Sequence, residues 1–320
     1  MPISKVIAWV AVIVILAVVT AAVLVVWRRP LMVFAWMERR SLTRQGLRKS
    51  VVNAPSGRIA FWEGGSGPTL VFLHGAGDQA GTWSRVLSQL ITGHRVLLPD
   101  LVGHGDSEPA QGTLTIGMEL AGLEALLTAR SPQQQVVLIG NSLGAWVAML
   151  YAFQHPERVA LVVAVNGGPL RGTRPDVLLN PANREEARRL MQLVRDPGSP
   201  PIPGFVLDDV VREAQQGPIG RLSQSAADMQ QYLLDDRLKE FKVPVDILWG
   251  EADQLLGSAY AKRLEEGLPA ARLTLLSRCG HVPQRECPVT FATKLAQLLK
   301  DPPSAPLGAP ATLVPAAPLP

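Results

Sequence analysis

A serine set between two glycines, Gly140-Asn141-Ser142-Leu143-Gly144, is where residue type and spacing most directly permit covalent chemistry in this chain. The preceding Val136-Val137-Leu138-Ile139 reads as a buried strand. Ala145, Trp146, Ala148, Met149 and Ala152 continue as a helix toward His155-Pro156. A G-x-S-x-G pentapeptide in strand–turn–helix context forms a nucleophile elbow. Its glycines answer a steric need, since so sharp a turn brings backbones close enough that a Cβ at position 140 or 144 would collide. The same residues also fit an ordinary helix capped by its serine. The deciding partner is a base, because a serine hydroxyl is a poor nucleophile until its proton is taken. Five histidines are available, His74, His94, His104, His155 and His281. The base in turn needs a carboxylate to fix its tautomer, for which Asp253, Glu251 and Asp100 are the candidates.

The elements around this stretch form an alternating series. Gly57 to Gly64 alternates as an edge strand, and Thr69-Leu70-Val71-Phe72-Leu73 is a continuous apolar strand running into His74-Gly75-Ala76-Gly77. A helical stretch around Trp83 to Leu90 precedes the strand Arg95 to Pro99, which empties into the glycine-rich loop Asp100 to Ser107. A helix from about Ile116 to Ala129 leads to the elbow strand, and Arg158 to Val165 is a further buried strand. This rhythm predicts an α/β fold with a doubly wound, mostly parallel sheet. It stops from Asn166 to about Lys242, where helical pieces (Pro181 to Val194, Phe205 to Gln215, Ser225 to Leu234) alternate with proline-rich breaks. It resumes with Val243 to Gly250, a helix around Ala259 to Leu268, the strand Ala271 to Leu276 and a helix from Pro288 to Leu299. The expected domains are a core of residues 51–166 and 243–300 with a helical cap of residues 167–242 inserted above the strand ends, where a lid covers a site.

Both ends of the 320-residue chain differ from its body. After a short tail (1–5), Val6 to Trp27 carries no charge and spans roughly 30 Å as a helix, enough to cross a bilayer. A cleaved signal would have a shorter apolar run and a small-residue cleavage site, so an uncleaved transmembrane helix is expected. Arg28, Arg29, Arg39, Arg40, Arg44, Arg48 and Lys49 follow the span while only Lys5 and the amino terminus precede it, which predicts a cytoplasmic catalytic body. Within this basic juxtamembrane segment (28–50), Leu31 to Met37 is apolar and suits the membrane interface. The net charge of +4 is largely local to this collar, so it implies contact of residues 6–49 with membrane lipid and no nucleic-acid partner. Residues 301–320 are rich in proline and alanine and read as a disordered extension. The two cysteines, Cys279 and Cys287, make no disulfide framework and agree with a reducing compartment. With no CxxC or HExxH, the sequence calls for no metal, and the serine chemistry needs no cofactor.

From about Gly57 to Lys300 the chain resembles the α/β-hydrolase superfamily with an inserted cap. The matching pieces are His74-Gly75-Ala76-Gly77, Asp100-x-x-Gly103-x-Gly105-x-Ser107, the elbow, Trp249-Gly250-Glu251-Ala252-Asp253 and Gly280-His281-Val282-Pro283-x-x-Glu286-x-Pro288. The resemblance implies His281 as base, in the Gly-His-x-Pro loop after the last strand, and Asp253 as its carboxylate, in the order Ser…Asp…His. Glu251 is the nearer rival, whereas Asp100 orders its own turn. The oxyanion donors implied are the backbone N–H groups of Leu143 and Ala76, with His74 structural and Gly75, Gly140, Asn141 and Gly144 supporting the motifs. The chain departs from many relatives in carrying Asn141 before the nucleophile, where they have histidine, and Ala145 after Gly144, where they have glycine. Asparagine there is shared with carbon–carbon bond hydrolases and some esterases, which leaves the bond type open. A serine nucleophile speaks against epoxide hydrolases and haloalkane dehalogenases, which use aspartate. The function implied is a membrane-anchored serine hydrolase of acyl esters, monoacylglycerol lipase-like in its sharpest form. A hydrolase of a small soluble metabolite and a non-catalytic binding protein of the same fold are the alternatives.

Overall fold

A computed structural model describes residues 2–172 and 179–301. The elements are α1 (Ile3–Arg28), α2 (Pro30–Arg44), β1 (Arg48–Ala54), β2 (Gly57–Gly65), β3 (Thr69–Leu73), β4 (Arg95–Pro99), α3 (Ile116–Arg130), β5 (Val136–Asn141), α4 (Leu143–Gln154) and β6 (Val159–Val165). There follow α5 (Arg184–Val194), α6 (Gly204–Gln216), α7 (Pro218–Ser223), α8 (Ala226–Met229), β7 (Val245–Gly250), α9 (Gly257–Gly267), β8 (Ala271–Leu276), α10 (Pro283–Glu286) and α11 (Pro288–Lys300).

The strands form one eight-stranded sheet in the order β1-β2-β4-β3-β5-β6-β7-β8. β1 and β2 run antiparallel to their neighbours, and β4, β3, β5, β6, β7 and β8 are parallel. β3, β5 and β7 are buried throughout, as strands covered on both faces must be. One face packs on α3, α4 and α9 through Leu123, Leu126, Val147 and Leu264. The other packs on α11 and the segment before β4 through Trp83, Leu87, Phe291 and Leu295. Each such side chain contributes about 1.5–3 kcal/mol by leaving water. The chain passes from β3 to β4 on one side and returns to β5 on the other. The switch point therefore lies between β3 and β5, at the carboxyl ends where open α/β sheets bind ligands.

Several elements differ from the sequence reading. Gly57–Gly65 is not an edge strand, because β1, formed by residues assigned to the juxtamembrane collar and its flank, pairs outside it. The helix expected near Trp83 to Leu90 is a pair of 3-10 turns, Ala80–Trp83 and Leu87–Gln89. Gly81, Thr82 and Ser84 are poor helix formers, and the N–H groups of Ala80 and Gly81 are taken by the Asp100 and Gln79 side chains. The helix expected over Ser225 to Leu234 breaks after Met229, where tertiary bonds replace helical ones. Trp146 Nε1 donates to Tyr232 O, and Leu234 N donates to Pro169 O.

α1 is the one described helix long and apolar enough to cross a membrane. Its large apolar side chains are exposed, so nothing in the fold buries them. The collar contains a helix, α2, that packs on the body: Glu38 and Leu42 are buried, while Met32, Trp36 and Met37 face outward. Cys279 and Cys287 are joined in a disulfide, where the sequence reading saw no disulfide framework and agreement with a reducing compartment. The eight-residue separation puts them on either side of a turn, which sequence spacing did not disclose. Of the extension 301–320, all but Asp301 lies outside the described residues.

Candidate active site

Ser142 is carried on the turn from β5 into α4 with φ 54° and ψ −115°, a left-handed conformation that costs a non-glycine residue about 1–3 kcal/mol. The turn is held by Ser142 N donating to Val165 O on the neighbouring strand, 2.9 Å. A Cβ on Gly140 would run into the backbone of Gly144, and one on Gly144 into the carbonyls of Leu73 and His74. Glycine is thus enforced where α4 crosses β3 and β5. The loop after β3 passes directly against the elbow, where a Cβ on Gly75 would lie 3.3 Å from Ser142 Cβ. Among the described residues the N–H groups of Ala76 and Leu143 have no hydrogen-bond acceptor. Leu143 opens α4, where first-turn N–H groups lack helical acceptors and the helix dipole favours negative charge.

His74 keeps this loop in place. Its Nε2 accepts from Leu101 N at 2.9 Å, so Nδ1 carries the proton and donates to Gly75 O at 2.8 Å. Burial holds the imidazole below its ordinary pKa, in keeping with a neutral tether. Asp100 is buried and accepts from Ala80 N and Asp106 N, ordering its own turn.

His281 and Asp253 come from loops after β8 and β7 and meet at 2.8 Å, Nδ1 to Oδ2. Asp253 Oδ2 also accepts from Asn166 Nδ2 at 2.8 Å, and its Oδ1 accepts from Leu255 N and Leu256 N. Burial alone would raise this carboxyl. Attraction to His281 and the donated hydrogen bonds outweigh it and hold the pKa below its ordinary value. An ionised Asp253 puts the imidazole proton on Nδ1 and leaves the Nε2 lone pair to accept another. Glu251 is exposed and its backbone N–H bonds Leu276 O, so it does not compete for the imidazole. His94 bonds Leu90 O, His104 bonds Val102 O, and His155 stacks on Tyr151, so each is engaged away from the Asp253 carboxylate.

The elbow and the His281 loop are joined through Asn141. Its Nδ2 donates to His281 O at 2.9 Å and Val165 O at 3.2 Å, and its Oδ1 accepts from Gln284 Nε2 at 3.1 Å. Sequence reasoning marked Asn141 only as a departure from relatives; its fitness for two carbonyls and one amide gives the physical reason for the side chain. Asn166 was missed altogether. Its Oδ1 accepts from Gly250 N while its Nδ2 holds Asp253, at φ 44°. The available signal was a polar residue followed by Gly167-Gly168 at the carboxyl end of an all-apolar strand.

The sequence matches the alpha/beta hydrolase family over residues 70–294, more than half of its length. The chain belongs to that family. Pimeloyl-[acyl-carrier protein] methyl ester esterase of Aromatoleum aromaticum is 30% identical to the hydrolase over 256 residues, 73% of this chain and 98% of the relative. The 2-hydroxy-6-oxo-6-phenylhexa-2,4-dienoate hydrolase of Burkholderia cepacia is 26% identical over 251 residues, 72% and 86% of the two chains. Among solved structures, a bacterial membrane phospholipase A superposes with a TM-score of 0.74 at 26% identity, over 91% of this chain and 97% of its own. The hydrolase is therefore a hydrolytic enzyme with esterase, phospholipase and carbon–carbon hydrolase relatives.

Two further features flank its site. A cavity of about 550 Å³, ordinary for a ligand pocket, lies between α5, the 195–202 segment and α6. Met191, Arg195, Ile202, Leu207 and Gln254 line it, and Ser142 does not. It reaches the Asp253 and His281 loops through backbone bonds, Gln254 N to Leu193 O and His281 N to Val194 O. On the other side, Glu119 is wholly buried, with Oε2 accepting from Val102 N and Oε1 making no hydrogen bond among the described residues, 3.9 Å from His104 Nδ1. Burial raises its pKa to about 8. A folded-state value above the unfolded one favours folding below the unfolded pKa and loses that contribution as pH rises. Wild-type thermal midpoint therefore falls between about pH 4.5 and about pH 8 through this group, and Glu119→Gln removes that share of the fall in a melting series. A variant that declines in parallel with wild type refutes the assignment.

Proposed function

We propose that the hydrolase is a membrane-anchored serine hydrolase of carboxylic esters, with acyl lipids such as monoacylglycerols as its substrates. The observation that carries this reading is the Asp253–His281 pair hydrogen-bonded to the elbow residue beside Ser142, in a chain headed by an exposed apolar helix. In the reaction His281 Nε2 takes the Ser142 proton as Oγ attacks the ester carbonyl. The oxyanion is met by the N–H groups of Ala76 and Leu143, worth about 10²–10³ in turnover for each donor. His281 then protonates the departing alcohol, and water activated by the same imidazole releases the acid from Ser142. Of the expected cap 167–242, residues 173–178 lie outside the described residues; its helices α5 to α8, with Ile219 lying over Gly77, act as the cap. α1 spans the bilayer, and the outward Met32, Trp36 and Met37 of α2 meet its interface. Likeness to the membrane phospholipase A extends beyond the residues matched to the family and supports a lipid substrate.

The test is a substrate panel on the detergent-solubilised full chain. Long-chain monoacylglycerols in micelles are turned over with higher kcat/KM than soluble short-chain esters; the reverse order overturns the lipid assignment. Asn141 and the carbon–carbon hydrolase relatives favour a second reading, cleavage of a vinylogous 1,5-diketone. Turnover of such a compound without ester turnover would establish it.

We assign the catalytic body to an oxidising compartment, contrary to the charge-based expectation. The Cys279–Cys287 pair supports this, since cytosolic thiols are kept reduced. Several collar charges are also engaged within the fold, Arg39 and Lys49 with Asp106 and Arg29 with Glu213. In chain unfolded directly from native membranes, both cysteines resist a maleimide mass tag until reductant is added. Immediate tagging of both would return the body to the cytoplasmic side.

A further inference from the structure

α2 does more than lead out of the membrane. Glu38, on its buried face, accepts from Arg285 Nε at 3.0 Å, Arg285 Nη2 at 2.7 Å and Gln79 Nε2 at 2.8 Å. Arg285 Nη2 also donates to Asp78 Oδ1 at 2.8 Å, and its guanidinium lies 5.3 Å from the Phe34 ring centre on α2. Arg39, one residue along, donates to Gln79 Oε1 at 3.1 Å and pairs with Asp106 at 3.3 Å. Three of these partners, Asp78, Gln79 and Arg285, belong to the loops that carry Ala76 and His281. Asp78 and Gln79 follow Ala76, Asp106 lies in the loop after β4, and Arg285 follows His281 on α10. Gln284, beside Arg285, bonds Asn141, which precedes Ser142 and bonds His281 O.

Resting on the serine-hydrolase reading above, we propose that α2 is a built-in wall of the active site. Its Glu38 and the Arg285 it binds are positioning residues that hold the oxyanion loop and the His281 loop in register. A planar guanidinium serves Glu38 at two points and Asp78 at a third, which a lysine ammonium cannot reproduce. Both carboxylates and the guanidinium are largely withdrawn from water, so removing one charge leaves the others uncompensated and the two loops free to part. The helix that follows the membrane anchor thus bears on catalysis even with a substrate that never enters a membrane.

The experiment uses the full chain in detergent, a soluble p-nitrophenyl ester and a fluorophosphonate probe of Ser142. Glu38→Gln and Arg285→Gln each lower kcat and the probe-labelling rate by roughly 10- to 100-fold, with KM within about twofold, as small misplacement of catalytic groups does. The final extent of labelling matches wild type. Arg285→Lys falls between wild type and Arg285→Gln, and Lys294→Gln, exposed on α11, changes nothing. Unchanged kcat and labelling rate in both neutral variants overturn the inference and leave the serine-hydrolase reading intact. If a neutral variant fails to fold, Arg285→Lys decides, and wild-type rates in it overturn the inference. A wild-type chain that the probe does not label refutes both.

Discussion

Ser142→Ala abolishes ester turnover, with a loss on the order of 10⁶ in kcat and no labelling by a fluorophosphonate. The size follows from removing the atom that, on the proposed mechanism, forms the acyl-enzyme. Ser142 stands on the strained turn between β5 and α4, close against Gly75, and among the described residues the N–H groups of Ala76 and Leu143 have no acceptor. Alanine accepts the surrounding packing, since Asn141, Gly140 and Gly144 keep every contact that shapes the turn. Melting temperature therefore stays near or above that of wild type, because the Oγ makes no hydrogen bond to the fold among the described residues. Residual turnover within about tenfold of wild type would show that the nucleophile lies elsewhere.

Asp253→Asn lowers kcat by about 10⁴ while the chain stays folded. Four donors face the Asp253 carboxylate, His281 Nδ1 and Asn166 Nδ2 on one oxygen and Leu255 N and Leu256 N on the other. A carboxamide has one oxygen, so either orientation sets its NH₂ against donors. Where the NH₂ meets His281, the imidazole turns to the tautomer with Nε2 protonated, which cannot accept the Ser142 proton. The pH response of stability changes as well. Asp253 has its folded-state pKa below the ordinary value, so its stabilisation is present above that value and lost as pH falls through the folded one. The variant lacks this acid-side loss, and a melting series below pH 5 shows a shallower decline than wild type. A Asp253→Asn enzyme retaining more than a tenth of wild-type kcat would assign the carboxylate role to another residue.

Much of the fold was legible because its signals are local. The run Val136 to Ile139, the glycines of the elbow and the alternation of apolar strands with helices are written within ten or so residues. The same holds for α3, α6, α9 and α11, whose bounds lie within a few residues of the sequence reading. Signals failed where apolar spacing was right but the backbone bonds went elsewhere, as in the 3-10 turns before β4 and the broken helix after Ser225. At α2 they were incomplete, because the apolar composition of Leu31 to Met37 says nothing of the partner that Glu38 and Leu42 meet on the other face.

From the sequence by itself came the α/β architecture, the membrane-length helix and the choice of Ser142, Asp253 and His281, since each depends on short-range patterning and on motif order. Only the tertiary structure decided that Asn166 bonds Asp253, that Asn141 bonds the His281 loop, that the cysteines pair and that Glu38 meets Arg285 across 247 residues. These are contacts between chain-distant polar groups, any of which could have faced solvent. What selects them is the need of a buried donor or charge for a partner, and that need arises only once the sheet and helices have excluded water.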